Sequence, residues 1–285
     1  MITKFLIVLI FSSFVLADWP IVVMHGCRES AEKMAEFVGW IKAAKPDVYV
    51  LNMEIGDGLI DSLIGEMSKE VDEFNANIQA DPVLSKSEKI NVVGFSQGGL
   101  LCRGYIERYN SPPVANFITL ATPHAGVFGI PVIDLQWLDE LLKKSAYIPG
   151  VQEVFTFAQY WKDPLDYNTY LEKSIFLPDL NNEKETKNPK YRENLISLDS
   201  FTMLMATADI IVYPNESELF GFYDENLNVI PYNNTQAYKE DWLGIKTLQE
   251  EKKLYTYSVP CTHGTLRDGT CGEHAFKSYV LPHLQ

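Results

Sequence analysis

A mainly parallel α/β sheet flanked by helices is the fold this sequence predicts, on three observations. Short runs rich in Val, Ile and Phe alternate with helix-length segments, the rhythm of βαβ units joined by right-handed crossovers. One run, Val92-Val93-Gly94-Phe95, leads into Ser96-Gln97-Gly98-Gly99 and then a helical pattern, so a strand, a tight turn and a helix follow one another. The length, 285 residues, suits one large core in a single domain.

At the start of the chain, Lys4 precedes an apolar run over 5–11, and Ser12-Ser13-Phe14-Val15-Leu16-Ala17 places a small residue before Asp18. This predicts a signal peptide over 1–17 and a mature domain over 18–285 delivered to the secretory pathway. The run is too short to span a bilayer comfortably, and no later stretch reads as a membrane span. Residues 21–24, 48–51, 90–93 and 117–120 are read as the first strands. Residues 89–95 form the buried strand ahead of the turn, and 97–109 space Leu100, Leu101, Gly104, Tyr105 and Arg108 as a helix does.

The rhythm breaks after Pro123, and the next strong strand, 201–205, is too distant for a structureless connection. The intervening stretch carries Trp137, Leu138, Leu141, Leu142, Val154, Phe155, Phe157, Tyr160 and Trp161. A helical insertion over about residues 125–195, lying above the carboxyl ends of the strands, is expected there as an acyl-binding region. Its polar part, 181–192, reads as an exposed loop. Residues 254–257 are the last strand, and a terminal helix follows.

Asp and Glu outnumber Lys and Arg 38 to 24, for a net charge of −14. That balance argues against nucleic acid or anionic lipid as a partner. No His or Cys set stands at metal-ligand spacing, and neither metal nor organic cofactor is expected. Cys27, Cys102, Cys261 and Cys271 would enter an oxidising compartment. Cys261 and Cys271 bracket a candidate catalytic loop, either bridged or as free thiols. Asn215-Glu216-Ser217 and Asn233-Asn234-Thr235 are glycosylation sequons, with Asn215 and Asn233 as the acceptors.

The turn at Ser96 carries the chemistry. Gly94 and Gly98 remove the Cβ atoms that would collide at a strained strand-to-helix elbow, so the serine hydroxyl can project from the sheet. A serine hydroxyl needs a positioned base. Of the five histidines, His25 precedes the serine, and His274 lies in the terminal helix. His263 occupies the loop after the last strand, where the chain order serine, acid, histidine of an α/β-hydrolase fold puts the base. Asp209, just past the strand ending Met203-Leu204-Met205, is the acid that would orient it. The backbone N–H groups of Gln97 and Cys27 are the expected oxyanion donors.

These motifs resemble the palmitoyl-protein thioesterases, lysosomal members of the α/β-hydrolases. The resemblance covers nearly the whole mature chain. It runs through Pro20-Ile-Val-Val-Met-His25-Gly26, Val93-Gly-Phe-Ser96-Gln-Gly-Gly99, Pro123-His-Ala-Gly126-Val-Phe-Gly129 and Tyr160-Trp161-Lys-Asp-Pro164. It is strongest in Asp209-Ile-Ile-Val-Tyr-Pro214 followed by Glu218-Leu-Phe220-Gly-Phe-Tyr223, then Leu243-Gly-Ile-Lys-Thr-Leu248.

The resemblance implies a triad of Ser96, Asp209 and His263, lysosomal delivery, and long-chain acyl thioesters as substrates. The acyl group would be carried by S-acylated cysteines of proteins or peptides, or by acyl-CoA. A lipase or carboxylesterase acting on oxygen esters, and a catalytically silent lipid-binding protein, are the alternatives on the same fold.

Overall fold

In the computed structural model, which describes residues 18–129 and 136–284 and no side chain over 136–139, strands and helices alternate from the start. The order is β1 (Ile21–Met24), α1 (Ala35–Ala44), β2 (Val50–Met53), α2 (Met67–Ala80), β3 (Ile90–Phe95), α3 (Gln97–Arg108) and β4 (Val114–Leu120). A run of helices follows: α4 (Gln136–Ser145), α5 (Pro149–Val154), α6 (Tyr167–Lys173), α7 (Leu177–Leu180) and α8 (Pro189–Ile196). Then come β5 (Ser200–Ala206), the short strands β6 (Phe222–Tyr223) and β7 (Val229–Ile230), α9 (Gln236–Lys239), α10 (Ile245–Glu250), β8 (Leu254–Val259) and α11 (Gly269–Ala275).

The main sheet has the order β2-β1-β3-β4-β5-β8 with every pairing parallel. Alternate residues of each strand enter opposite cores, as the two-residue period of a strand requires. Val22, Met24, Ile90, Val92, Phe117, Phe201 and Met203 pack with α2, α3 and the insertion. Ile21, Val23, Val93, Phe95, Ile118, Leu120 and Leu204 pack with α1 and the C-terminal helices. Burial on both faces explains why these strands read as unbroken apolar runs. β3 lies in the interior of the sheet, so Ser96 leaves it at the carboxyl edge between β1 and β4.

Strand ends differ from the apolar runs by a few residues. The second run begins at Val48, whereas β2 begins at Val50, although the Tyr49 carbonyl already accepts from Ile21 N–H at 2.9 Å. The antiparallel pair β6-β7, closed by Asp224 accepting from Asn226 and Asn228, is not marked by any apolar run.

The insertion is helical and well buried, with Trp161, Tyr170, Phe176 and Leu177 fully inaccessible. The predicted leader and the side chains of Trp137 and Leu138 lie outside the described residues. The expected exposed loop over 181–192 holds at Lys184, Glu185, Thr186, Asn188 and Lys190, which are exposed, and is corrected at Asn181, Asn182 and Tyr191. Asn181 and Asn182 are buried, Asn181 Oδ1 accepts from Arg103 at 2.6 Å, and Asn182 Nδ2 donates to the carbonyls of Asn188 and Trp242. Helix α8 then begins at Pro189, capped by the Asn188 side chain. Polar composition hid this because each buried amide has internal partners.

Candidate active site

Ser96 has φ 52° and ψ −127°, a left-handed conformation that a residue with a Cβ adopts only under constraint. The constraint comes from both sides. A Cβ on Gly94 would strike the backbone of Gly99, and one on Gly98 would strike the carbonyl of His25. Strand β3, helix α3 and the exit of β1 therefore close on one another with glycine at each contact, and Ser96 is raised between them. Ser96 remains 9% exposed while its neighbours in α3 are essentially inaccessible.

The Ser96 Oγ lies 3.0 Å from His263 Nε2, and His263 Nδ1 lies 2.5 Å from Asp209 Oδ2. The three residues named from chain order thus meet across 167 and 54 positions of sequence separation. Asp209 sits in the turn after β5, where its other oxygen, Oδ1, accepts from the N–H of Ile211 at 2.6 Å and of Val212 at 3.2 Å. Burial alone would raise its carboxyl, but hydrogen bonds from His263, Glu218 and the Ile211 backbone hold it below the usual range. Asp209 is therefore a fixed anion with its charge aimed at the histidine.

His263 follows β8 in a short loop, its ring tilted against Phe95 with centroids 4.9 Å apart. Arg267 lies over the same phenylalanine ring and pairs with Glu29 at 2.7 Å, so the loop after β1 and the histidine loop are joined. Cys261 and Cys271 form a disulfide across the same loop. His274 is exposed on α11, and His25 is buried with its Nδ1 against the Gly26 carbonyl.

Gly26 packs on Ser96, where an added Cβ would come within 3.0 Å of the serine Cβ. Gln97, directly after the nucleophile, is the first residue of α3. The Cys27 thiol itself is hydrogen-bonded to Thr156 and Tyr160, and burial pushes it up to about 11, so it is not a thiolate competing with Ser96. The Gln97 side chain points away and donates to the Ser62 carbonyl at 2.8 Å. Thr156 donates to the same carbonyl, and Ser62 Oγ accepts from Arg28 N–H. The insertion, the 56–65 loop and the nucleophile turn thus share one anchor.

Two features of the site escaped sequence reasoning. Asn215 donates its side-chain amide to the carbonyls of Ala206 and Asp209, at 3.1 and 3.3 Å, bracing the turn that carries the acid. Both amide hydrogens are engaged, which a bare sequon does not reveal; Asn233 is exposed on its turn. Glu218, fully buried, accepts from the Ala206 N–H at 2.8 Å and contacts Asp209. A single acid ahead of an aromatic run carries no sign of burial.

A serine bonded to a histidine that is bonded in turn to a buried aspartate, in that chain order on a parallel sheet, defines the α/β-hydrolase class. Aspergillus fumigatus lipase B shares the fold, with a TM-score of 0.51 at 14% identity over 88% of this chain and 49% of that one, so this chain spans about half its length. The chain belongs to the palmitoyl protein thioesterase family, whose model matches residues 20–263, and it is a hydrolase. Palmitoyl-protein thioesterase 3 of Dictyostelium discoideum is 40% identical to it over 278 residues, 96% of this chain and 94% of that protein. The lysosomal thioesterase PPT2 homolog of Drosophila melanogaster is 34% identical over 252 residues, 87% of this chain and 86% of that protein.

Proposed function

We propose that this hydrolase removes long-chain acyl groups from thioesters, with Ser96 as nucleophile, His263 as base and Asp209 as the group that orients the base. The observation that carries this is the continuous bond path from Asp209 through His263 to the Ser96 hydroxyl, in a chain of the palmitoyl protein thioesterase family.

In the first half-reaction Ser96 Oγ bonds to the thioester carbonyl carbon as its proton passes to His263 Nε2. The oxyanion accepts from the N–H groups of Cys27 and Gln97. Collapse breaks the carbon–sulfur bond, and the thiolate takes the proton from His263. Water then adds to the acyl-serine with His263 again as base, and the fatty acid leaves with Ser96 restored. Every proton is carried by His263, so no cofactor enters this scheme.

A preference for long acyl groups is supported by exposed apolar side chains on the insertion, on the loop that packs against it and beyond Asp209. Ile64 bridges to Phe155, and Gly65 N–H donates to the Val154 carbonyl, which sets three exposed apolar side chains on the insertion side. Ile210 and Ile211 are exposed immediately beyond Asp209. Burying an acyl chain between such groups gains about 0.8 kcal/mol per methylene. Carriage by S-acylated proteins or by acyl-CoA fits the same chemistry. A leader over 1–17 and a lysosomal or secreted destination accord with the apolar start of the sequence and the lysosomal name of the Drosophila relative.

Release of free thiol from palmitoyl-CoA and from a palmitoylated peptide, measured beside Ser96→Ala, tests the reading. Turnover abolished by the substitution is the expected result. A folded protein that hydrolyses only oxygen esters, or neither thioester, overturns it.

A further inference from the structure

The short helical turn Asn215–Leu219 is docked onto the acid of the triad by more than Asn215. Ser217 Oγ donates to the Gly126 carbonyl and accepts from Ala125 N–H, which seats the turn against the loop after β4. Glu218 then points inward with no exposed surface. One of its oxygens, Oε2, takes the N–H of Ala206, the last residue of β5. Its other oxygen, Oε1, is buried and lacks a donor. The side chain in hydrogen-bonding contact with Glu218 is the carboxylate of Asp209, which has no proton to give.

Two facing carboxylates would leave that oxygen orphaned and repelled, whereas a proton on it forms an O–H to carboxylate bond and removes both penalties. The charged groups facing Glu218 are Asp209 and Glu216, both acidic, and no Lys or Arg pairs with it among the described residues. We propose that Glu218 is a positioning residue for the triad. It is held as a neutral acid whose O–H donates to the Asp209 carboxylate, keeping that carboxylate on His263 and limiting the negative charge it presents to the ring. Burial, and then the charge of Asp209, push the Glu218 carboxyl well above the usual range, in keeping with this assignment.

The functional consequence lies in the acidic range. A carboxylate that already accepts a strong donor presents less negative charge to the imidazole, so the effect of removing that donor is read in the acidic limb of the pH profile. The same donor restricts rotation of the Asp209 carboxyl, leaving Oδ2 for His263 while Oδ1 is held by the backbone. The proposal rests on the triad reading above.

The test is the rate at which a fluorophosphonate labels Ser96 as a function of pH, which needs no knowledge of the substrate. Glu218→Gln keeps a neutral donor and an acceptor; Glu218→Met keeps the size and loses both. The Met variant is expected to label at least about tenfold more slowly, with the acidic limb moved to higher pH, and the Gln variant to recover most of the rate and the original limb. A Met variant that labels like the wild type with an unmoved profile, or a Gln variant as impaired as Met, overturns the proposal.

Infrared difference spectra of wild type against Glu218→Gln near neutral pH decide the matter even where the Met variant does not fold. Loss of a protonated-carboxyl band supports the proposal, and loss of an ionised-carboxylate band overturns it. Wild-type protein in which Ser96 does not label at all sinks the triad reading instead, and the infrared result still stands for Glu218.

Discussion

Ala208 donates its backbone N–H to the carbonyl of Cys261 at 3.1 Å. One residue beyond the donor is Asp209, and two beyond the acceptor is His263, so the turn after β5 and the loop after β8 are fastened next to the two groups that must meet. Thr207 N–H donates to the Val259 carbonyl one step earlier, continuing the ladder of β5 and β8 into the site. The carboxylate–imidazole bond is therefore an extension of sheet pairing rather than a meeting of free loops.

The disulfide between Cys261 and Cys271 closes a loop of 10 residues of separation around His263. Chain-entropy arguments assign such a loop about 2–3 kcal/mol of stability. Replacing both cysteines by alanine is expected to lower the unfolding free energy by about that amount and to reduce kcat more than KM is changed, because the displaced group is the base. Urea titration and steady-state kinetics on the double variant check this; unchanged stability and kcat would show that the loop is held without the bridge.

Asp209→Asn keeps the shape of the acid and removes its charge. An asparagine that keeps its backbone donors can present an N–H to His263 Nδ1, which favours the tautomer unable to take the serine proton. A loss of about 10³–10⁴-fold in kcat is expected, by analogy with other triads, while KM stays within a few-fold. Parallel labelling of Ser96 by fluorophosphonate should fall with kcat. Retention of most activity would mean that Asp209 is not the orienting acid.

How much of this was legible in the sequence differs by residue. Ser96, His263 and Asp209 could be named because each occupies a place dictated by strand order, and strands buried on both faces announce themselves as apolar runs. Gly94 and Gly98 were legible for the same reason, since a backbone contact leaves no choice of side chain. Glu218 and Asn215 were not, because their roles depend on the turn folding back beneath Asp209, and periodicity carries no such information. Asn181 and Asn182 misled for the opposite reason: amides buried among internal partners have the same composition as a solvated loop.

The two sequons should behave differently. Glycan attachment at Asn215 would use the nitrogen that donates to Ala206 and Asp209, so the modified residue cannot make both bonds. Asn233, exposed on a surface turn, has no such conflict. Protein made through a secretory route is expected to lose one glycan mass in Asn233→Gln and none in Asn215→Gln, while Asn215→Gln alone lowers activity, by about tenfold or less for the loss of a neutral hydrogen bond or two. A mass shift in Asn215→Gln with unchanged turnover would reverse the assignment.

Glu70 should contribute a loss of stability as pH rises from mildly acidic to mildly alkaline. Glu70 is buried on α2, and burial, followed by the charges of Asp61 and Glu73, pushes its carboxyl from its ordinary 4.5 up to about 8. A raised native value means the folded chain holds this proton more tightly than the unfolded chain does. Its contribution is full below about 4.5 and is lost as pH rises through about 8. The slope of that loss is at most about 1.4 kcal/mol per pH unit for one group. Glu218 acts in the same direction. Asp209 acts oppositely, because its lowered value contributes stability above 3.8 that disappears only as pH falls through its native value. Between about pH 5 and pH 8 the urea unfolding free energy of Glu70→Gln, which carries no proton to lose, is expected to fall less, or rise more, with pH than that of the wild type. Equal slopes in the two proteins would mean that Glu70 is already ionised in the folded state at mildly acidic pH and that the buried carboxyl is solvated by groups or water not accounted for by its neighbours.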